Sequence, residues 1–195
     1  SYQNCLIHMA ENFNEDTQPN KIATEVNQYI KQKTKCEDAY FRQTQISNEI
    51  ALSLRDKVKD ILKADGSLET HVKIAIVGNI LDFGAYDLST DFKGLIIDNL
   101  NSNLAINDIE EFEKALEEHD KVLYIVDNAG EIVFDRLLIE KIIEYDVDVT
   151  VAVIIDPIVN DACMSEAVDA GLDESAEIIE IGSDSGGIVE EMFSS

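Results

Sequence analysis

Two short acidic segments combine residue types and spacing that suit metal-ion chemistry. Asp127 and Asn128 follow the apolar run 122–126 and precede a stretch with helical spacing. Asp161 lies 34 positions further on (161 − 127), about the length of one β-α-β unit. If the two segments end neighbouring parallel strands, their side chains meet at the edge of the sheet where ligands bind in open α/β folds. Carboxylate and amide oxygens suit a hard cation, so Asp127, Asn128 and Asp161 are candidate ligands of Mg²⁺, Mn²⁺ or a similar ion.

The same residues have a second interpretation as turns or helix caps. Asp and Asn side chains often accept hydrogen bonds from nearby backbone N–H groups at the start of a helix. Asp127 and Asn128 precede one helical stretch, and Asn160 and Asp161 precede another. On spacing alone, the metal site and the two caps remain alternatives.

The elements that would position these residues alternate between strand and helix patterns after residue 120. Short β-branched runs predict three strands, and apolar residues at helical spacing predict three helices. The strands are 122–126, 147–155 and 176–181, and the helices are 132–143, about 161–170 and about 187–193. The unbroken run 122–126 is typical of a strand buried on both faces of a parallel sheet. The alternation predicts an α/β fold with a doubly wound, mostly parallel, three-layer α/β/α core.

The first third of the chain has a helical pattern instead. Helices are predicted at 3–13, 20–33 and 43–63. In the helix 43–63, residues 47–49 (SNE) fall mostly on the face opposite the apolar stripe, and such a face is usually solvated. We therefore predict an N-terminal helical subdomain, residues 1–66, followed by an α/β metal-binding core, residues 67–195.

Residues 68–88 permit two assignments. Apolar residues alternate from 72 to 76 as in a strand, but the whole stretch also suits a buried helix, and periodicity does not decide between them. Asn79 and Asp82 place polar groups inside this apolar segment. Burying an amide or a carboxylate is unfavourable unless it is hydrogen-bonded. These groups therefore either satisfy each other in the core or line a pocket.

Composition narrows the class of protein. The 195 residues include 15 basic and 40 acidic side chains, and the formal net charge is -25. Such a field repels nucleic acids and anionic membranes, and a small anionic substrate would need a local cation. No apolar run reaches the ~18 residues of a membrane span and no signal peptide opens the chain, so we expect a cytoplasmic protein. The three cysteines are widely spaced and indicate neither a zinc site nor a disulfide framework.

Five short segments carry recognisable motifs. In chain order they are SNEIAL, GNILDFG, YIVDNAGEIVFD, PIVNDA and DAGL. Together they resemble the damage-control phosphatase family, formerly called domain of unknown function 89. The resemblance implies a helical layer beside an α/β core, a helix at 69–80, and metal-dependent hydrolysis of phosphate monoesters of sugars or related metabolites. It also implies that Asp127, Asn128 and Asp161 bind the metal.

The same resemblance suggests roles for further residues. Asn79 and Asp82 match the family's GNxxD motif near the pocket. A divalent ion, Mn²⁺, Co²⁺, Ni²⁺ or Mg²⁺, would polarise a phosphoryl oxygen and activate a water, which assigns Asp127 and Asp161 to catalysis. Asp82, a third candidate catalytic residue, or Glu131 would orient that water or the sugar hydroxyls, although a first-turn helix acid is the plainer interpretation of Glu131. We expect a small phosphorylated metabolite as substrate, bound by Asn79, Asp82 and Glu131.

Some features depart from the family pattern. The KGxGNxE motif, whose lysine faces the phosphate in the family, has no counterpart, and we expect a C-terminal segment to be missing. Of the paired cysteines often seen near the family's start, Cys5 stands alone. The glycine-rich segment 182–187 follows the third predicted strand, and its backbone N–H groups would suit a phosphate. An ordinary turn is the simpler interpretation of that segment.

Two other classes of protein remain open on the sequence. The first is a non-catalytic metal- or ligand-binding α/β module, which the missing lysine motif keeps open. The second is a Rossmann-like methyltransferase, although the chain lacks the GxGxxG fingerprint after its first strand. The substrate, the physiological metal and the oligomeric state are not determined by the sequence.

Overall fold

The structure is a computed structural model that describes residues 2–14, 17–80 and 92–181. The helices in these ranges are α1 (Tyr2–Asn12), α2 (Pro19–Thr34), α3 (Phe41–Ala64), α4 (Leu68–Ile80), α5 (Phe92–Leu100), α6 (Ile109–Glu118), α7 (Ile132–Ile143) and α8 (Met164–Ala170). The strands are β1 (Lys121–Ile125), β2 (Asp148–Ile154) and β3 (Glu177–Ile181). Among the helices described, none is both long enough and apolar enough to cross a membrane. The chain is therefore helical as far as α6 and alternates between strand and helix from β1 onward.

The first three helices confirm the predicted helical layer. α2 begins at Pro19, where a missing N–H removes no helical hydrogen bond, and ends before Lys35, whose φ is 56°. α3 buries Ala51, Leu54 and Val58 along one face. These side chains belong to the same apolar core as residues of α4, α7 and the sheet. The helical layer therefore packs directly on the α/β core, and the predicted boundary between two subdomains stays a prediction.

The first part of the ambiguous segment 68–88 forms the helix α4. The helix at 69–80, implied by the family resemblance, is confirmed, and the strand alternative is wrong. α3, α5, α6 and α7 all contact α4, so its apolar residues are buried on several sides and show no one-sided helical period. A Cβ on Gly78 would lie 3.1 Å from Cδ2 of Phe134, so the residue's lack of a side chain permits the close crossing of α4 and α7. Residues 81–88 lie outside the described residues.

β1, β2 and β3 form a parallel sheet in that order. Tyr124 pairs with Val151, and Val151 pairs with Ile178. α7 connects β1 to β2, and α8 connects β2 to β3. The predicted alternation and the α/β fold class with its helical layer are confirmed. The helix predicted at 187–193 lies outside the described residues.

The expectation that residues 122–126 are buried on both faces of the sheet is wrong. Leu123 is 60% exposed and Ile125 is 55% exposed, while Val122 and Tyr124 pack against the core. β1 is an edge strand of the described sheet, and the packed face carries the side chains that meet α7 and α8. An unbroken apolar run therefore identified the strand but not the burial of its two faces.

Candidate active site

The two acidic segments lie side by side at the carboxyl end of the sheet. The N–H of Ala162 donates to the backbone oxygen of Asp127 at 2.7 Å. The N–H of Ala129 donates to the backbone oxygen of Asn160 at 2.8 Å. These hydrogen bonds form a short antiparallel bridge between the loop after β1 and the loop after β2. The structure thus brings together the two segments that the sequence spacing linked.

Asn128 and Asp161 are direct backbone partners across this bridge. Asp127, next to Asn128, is exposed, whereas Asp161 is half-buried. Burial raises the pKa of Asp161 to about 6, and the charge of Asp127 adds to the rise. Two carboxylates that repel each other in this way favour a cation close to both.

The oxygen donors of this site fit a divalent cation. Across residues 2–14, 17–80 and 92–181, no three His, Cys, Asp or Glu side chains form a metal-binding group. The site instead offers two carboxylates, from Asp127 and Asp161, and the amide of Asn128. Hard cations such as Mg²⁺ commonly use one or two carboxylates together with waters and substrate phosphate oxygens. Two carboxylates and an amide therefore suit an ion that keeps positions for a water and a phosphate oxygen.

Neither acidic segment caps the helix that follows it. The N-cap position of α7 is occupied by Glu131, and no side-chain hydrogen bond caps that helix. α8 begins after Cys163, whose N–H donates to Oε2 of Glu166 at 3.1 Å. The capping interpretation of both segments is wrong, because each loop continues for at least one further residue before its helix begins.

Glu131 links two of the predicted site residues. Its Oε2 accepts hydrogen bonds from Nδ2 of Asn79 at 2.9 Å and from Nδ2 of Asn128 at 3.4 Å. Burial raises the pKa of Glu131, the hydrogen bond from Asn79 opposes that rise, and the charge of Asp127 adds to it. Glu131 lies at the start of α7, as its plainer interpretation expected, but its carboxylate binds two amides. It holds the Asn128 amide by the nitrogen, which leaves the oxygen side for a cation.

The sequence analysis did not identify Asp135, a buried acid beside Glu131, as part of the site. Oη of Tyr124 donates to Oδ1 of Asp135 at 2.7 Å. Burial raises the pKa of Asp135 to about 7, and the charges of Glu131 and Asp127 contribute. Burial, with the charge of Asp135, also raises the pKa of Tyr124. The signal was an acid inside the apolar stretch IVFDRLL, one helical turn after Glu131.

These acids line a cavity of about 240 Å³ at the edge of β1. Its lining residues are Leu123, Tyr124, Ile125, Asp127, Glu131 and Asp135. The cavity is smaller than the ~300–1,000 Å³ of drug-sized sites, so it suits a small group. A larger, mainly apolar cavity of about 620 Å³ lies between α3 and α5 and contains none of these acids.

A side chain from the helical layer holds the turn that precedes α7. The N–H of Gly130 donates to Oδ1 of Asn48, on α3, at 2.6 Å. Asn48 is 3% exposed and Ser47 is 6% exposed, so the solvated-face interpretation of residues 47–49 is wrong for these two, while Glu49 is exposed. Ser47 and Asn48 lie one helical turn before Ala51, on the same buried face of α3 that packs against neighbouring helices.

The loop after β2 is held from the helical layer as well. Nζ of Lys31, on α2, donates to the backbone oxygen of Pro157 at 2.6 Å. The loop continues through Val159, whose φ of 54° is rare for a β-branched residue, to Asp161. Lys31 also lines a cavity of about 630 Å³ between α2 and this loop. A side chain of the helical layer therefore contacts each loop of the candidate site.

Two predicted parts of the site lie outside the described residues. They are Asp82, assigned to catalysis and to substrate binding, and the glycine-rich segment 182–187. Their roles stay predictions. The other predicted residues are brought into one region, because Glu131 binds Asn79 and Asn128 and the backbone bridge adds Asp127 and Asp161.

Several known proteins are similar to this chain. An uncharacterised protein from Methanocaldococcus jannaschii is 39% identical over 182 residues, which is 91% of this chain and 60% of the relative. A damage-control phosphatase from Pyrococcus horikoshii is 36% identical over 137 residues, 70% of this chain and 47% of the relative. One from Archaeoglobus fulgidus is 30% identical over 173 residues, 87% of this chain and 59% of the relative. The chain thus spans between about half and three fifths of the length of these relatives.

The fold has a counterpart among solved structures. A crystal structure of a DUF89 family protein from Pyrococcus horikoshii matches with a TM-score of 0.86 at 30% identity, covering 98% of this chain and 67% of that chain. A model of the damage-control phosphatase ARMT1-like domain matches residues 2–195. The match spans nearly the whole chain and includes the motifs on which the family resemblance was based. The chain belongs to the damage-control phosphatase ARMT1-like family.

Proposed function

We propose that the protein is a metal-dependent phosphatase that hydrolyses phosphate monoesters of sugars or related metabolites. The observation that carries this proposal is the backbone bridge that joins the segments of Asp127, Asn128 and Asp161 beyond the ends of two parallel strands. Family membership supports the same reaction class. The two supports are of different kinds, since one is local geometry and the other is similarity along the whole chain.

The three residues at the bridge would supply different ligand groups to a metal ion. Asp127 and Asp161 supply the two carboxylates, and Asn128 supplies an amide oxygen. A divalent ion bound there, Mn²⁺, Co²⁺, Ni²⁺ or Mg²⁺, would polarise a phosphoryl oxygen and lower the pKa of a water. Glu131 fixes the orientation of the Asn128 amide through its nitrogen. This part of the site therefore binds the phosphate end of the substrate.

The neighbouring groups suit the hydroxylated end of a sugar phosphate. Glu131 and Asn79, joined by a hydrogen bond of 2.9 Å, offer an acceptor and a donor to hydroxyl groups. Glu131 and Asp135, which line the 240 Å³ cavity beside Asp127, repel a phosphate dianion but accept hydrogen bonds from hydroxyls. Asp82 is proposed to orient the attacking water or a hydroxyl of the substrate. The charges thus favour one orientation, with the phosphate at the ligand carboxylates and the hydroxyls at Glu131.

The charge of the protein agrees with a small substrate. A net charge of -25 disfavours nucleic acids and anionic membranes as partners. A small phosphorylated metabolite approaches such a surface once a local cation offsets the repulsion. The proposal includes a location in the cytoplasm, where phosphorylated metabolites are made.

The test is release of inorganic phosphate from a panel of sugar phosphates by the full-length protein. Each substrate is assayed with Mn²⁺, Co²⁺, Ni²⁺ or Mg²⁺ and with chelator. We expect release that requires a metal and is lost in Asp127→Ala and Asp161→Asn. Asp169→Asn is the matched control, because it removes one acidic charge from an exposed position on α8 and should retain the activity.

Three outcomes would contradict the proposal in whole or in part. Absence of phosphate release with every metal, from folded full-length protein, would refute phosphatase activity. Metal binding without turnover would support a non-catalytic binding module instead. Release that is insensitive to chelator would retain a phosphatase but refute the metal site.

A further inference from the structure

Both loops that carry the proposed metal ligands are held by side chains of the helical layer. Asn48, on α3, accepts the Gly130 N–H, and Lys31, on α2, donates to the Pro157 oxygen, each at 2.6 Å. We propose that Asn48 and Lys31 are positioning residues, which fix the two loops relative to each other and thereby set the affinity of the site for a divalent cation. The inference rests on the proposed function, because it takes Asp127, Asn128 and Asp161 as the ligands.

Asn48 acts on the backbone close to two of these ligands. Gly130 follows Asn128 by two residues, and its φ of 86° belongs to the turn that leads into α7. The preceding N–H, from Ala129, is bound by the opposite loop at Asn160. Two consecutive N–H groups of the turn are therefore held from different sides, one by the other ligand loop and one by α3. A shift of α3 would change the position of the turn between them.

The two polar atoms of the buried Asn48 amide differ in what they bind. Its Nδ2 is buried and has no hydrogen-bond partner among the described residues. This unpaired donor destabilises the folded state, but an apolar side chain would leave the buried N–H of Gly130 without its acceptor. Oδ1 of Asn48, by contrast, binds the turn next to the proposed ligands. The position of that turn is therefore what the side chain provides.

Lys31 restrains the second loop at a point four residues before Asp161. Its ammonium group donates to a backbone carbonyl, and hydrogen bonds from charged donors are the stronger ones. The left-handed φ of 54° at Val159 is maintained only where the surrounding contacts determine the backbone. The bond from Lys31 is one of those contacts, so its loss would let the segment before Asp161 relax.

The first experiment measures Mn²⁺ affinity by titration calorimetry in the full-length protein. We expect Asn48→Ala to weaken binding by about tenfold, the lower end of the losses seen when groups that orient metal ligands are removed. Asn48→Asp keeps an oxygen acceptor for Gly130, near the N-terminus of α7 where a negative charge is favourable. It should restore binding, and its Co²⁺ absorption spectrum should match that of the wild type, whereas the spectrum of Asn48→Ala should differ.

A matched pair of lysine variants separates positioning from charge. Lys31 and Lys35 line the same cavity beside the loop after β2. Removing a positive charge near a cation site strengthens cation binding if only electrostatics acts. We expect Lys31→Met to weaken Mn²⁺ binding severalfold, and Lys35→Met to leave it unchanged or slightly stronger. Both variants remove one positive charge, so weaker Mn²⁺ binding in Lys31→Met alone would indicate that Lys31 acts by positioning the loop.

The readouts distinguish the failure of this inference from the failure of the proposed function. The inference would be overturned if a folded Asn48→Ala had the Mn²⁺ affinity and the Co²⁺ spectrum of the wild type, and the two lysine variants changed Mn²⁺ affinity equally. If Asn48→Ala does not fold, Asn48→Asp and the two lysine variants still test whether Asn48 and Lys31 position the loops. Wild type that binds Mn²⁺ without releasing phosphate would refute the proposed function alone, whereas wild type that binds no cation would overturn the inference as well.

Discussion

Asp135 provides a direct test of the electrostatics at this edge of the sheet. Its side chain is 3% exposed, and its pKa is raised from 3.8 to about 7, first by burial. Because the folded-state pKa exceeds the unfolded value, the folded protein binds this proton more tightly than the unfolded chain. The stability that depends on the proton is fully present below about pH 3.8 and is lost as the pH rises through about 7.

The size of the effect follows from the two pKa values. Each factor of ten in proton affinity corresponds to about 1.4 kcal/mol, so the full loss is on the order of 4 kcal/mol at high pH. About 2.5 kcal/mol of that loss falls between pH 5 and pH 8. Asp135→Asn removes the charge and keeps an oxygen for the hydroxyl of Tyr124. We expect the stability of the variant relative to the wild type to improve by about 2–3 kcal/mol from pH 5 to pH 8.

The assay is urea unfolding of both proteins at pH 5 and pH 8 with chelator present, which keeps cations away from the neighbouring acids. Asp169→Asn, an exposed acid on α8, controls for the loss of one negative charge. The new amide also introduces unpaired N–H groups, which destabilise the variant equally at both pH values. Their effect cancels when the difference in stability at pH 5 is subtracted from that at pH 8. If the gap between Asp135→Asn and wild type is the same at both pH values, the buried carboxyl does not titrate as described and the reasoning fails.

Three further outcomes test the fold and the site. Gly78→Ala would place a Cβ 3.1 Å from Cδ2 of the buried Phe134, so urea unfolding should show a loss of about 1–3 kcal/mol, and an unchanged midpoint would contradict the close crossing. Val159→Gly removes a β-branched residue from a φ of 54°, and we expect a net gain of up to about 1 kcal/mol in the same assay, whereas a clear loss would show that the loop is unstrained. Mn²⁺ at 100 times its Kd should stabilise the wild type by about 2.7 kcal/mol, and an equal rise in Asp161→Asn would place the cation elsewhere.

The order of the elements was predictable because most of them carry a distinct apolar pattern. α3 and β2 carry periodic or β-branched apolar runs, and a local window of sequence captures such patterns. α4 was the exception, because other helices surround it and its apolar residues follow neither period cleanly. The family resemblance supplied the helix there. Burial of the faces of β1 was missed since it depends on which helices cover the sheet, and a run of five residues contains no such information.

The placement of the candidate site residues was predictable only where it follows from their position after a strand. Asp127 and Asn128 follow β1 closely and Asp161 lies in the loop after β2, so the rule that ligands bind beyond strand ends brings them together. Asn48 lies 82 residues from the glycine it binds, and Lys31 lies 126 residues from Pro157. No local pattern shows which polar residue of a helix will meet a distant loop. Tertiary packing of the helical layer makes those contacts, so only the structure reveals them.

The charge of one residue, Asp127, affects the pKa values of three other acids of the candidate site. The charge of Asp127 raises the pKa of Glu131, of Asp135 and of Asp161, in each case after burial. A cation bound at Asp127 would therefore lower all three pKa values together. The loss of stability between pH 5 and pH 8 should then shrink in saturating Mn²⁺, and Asp127→Asn in chelator should reproduce part of that change without any cation. A pH dependence that persists unchanged in both cases would mean that burial alone sets these pKa values and that the acids do not act as a coupled group.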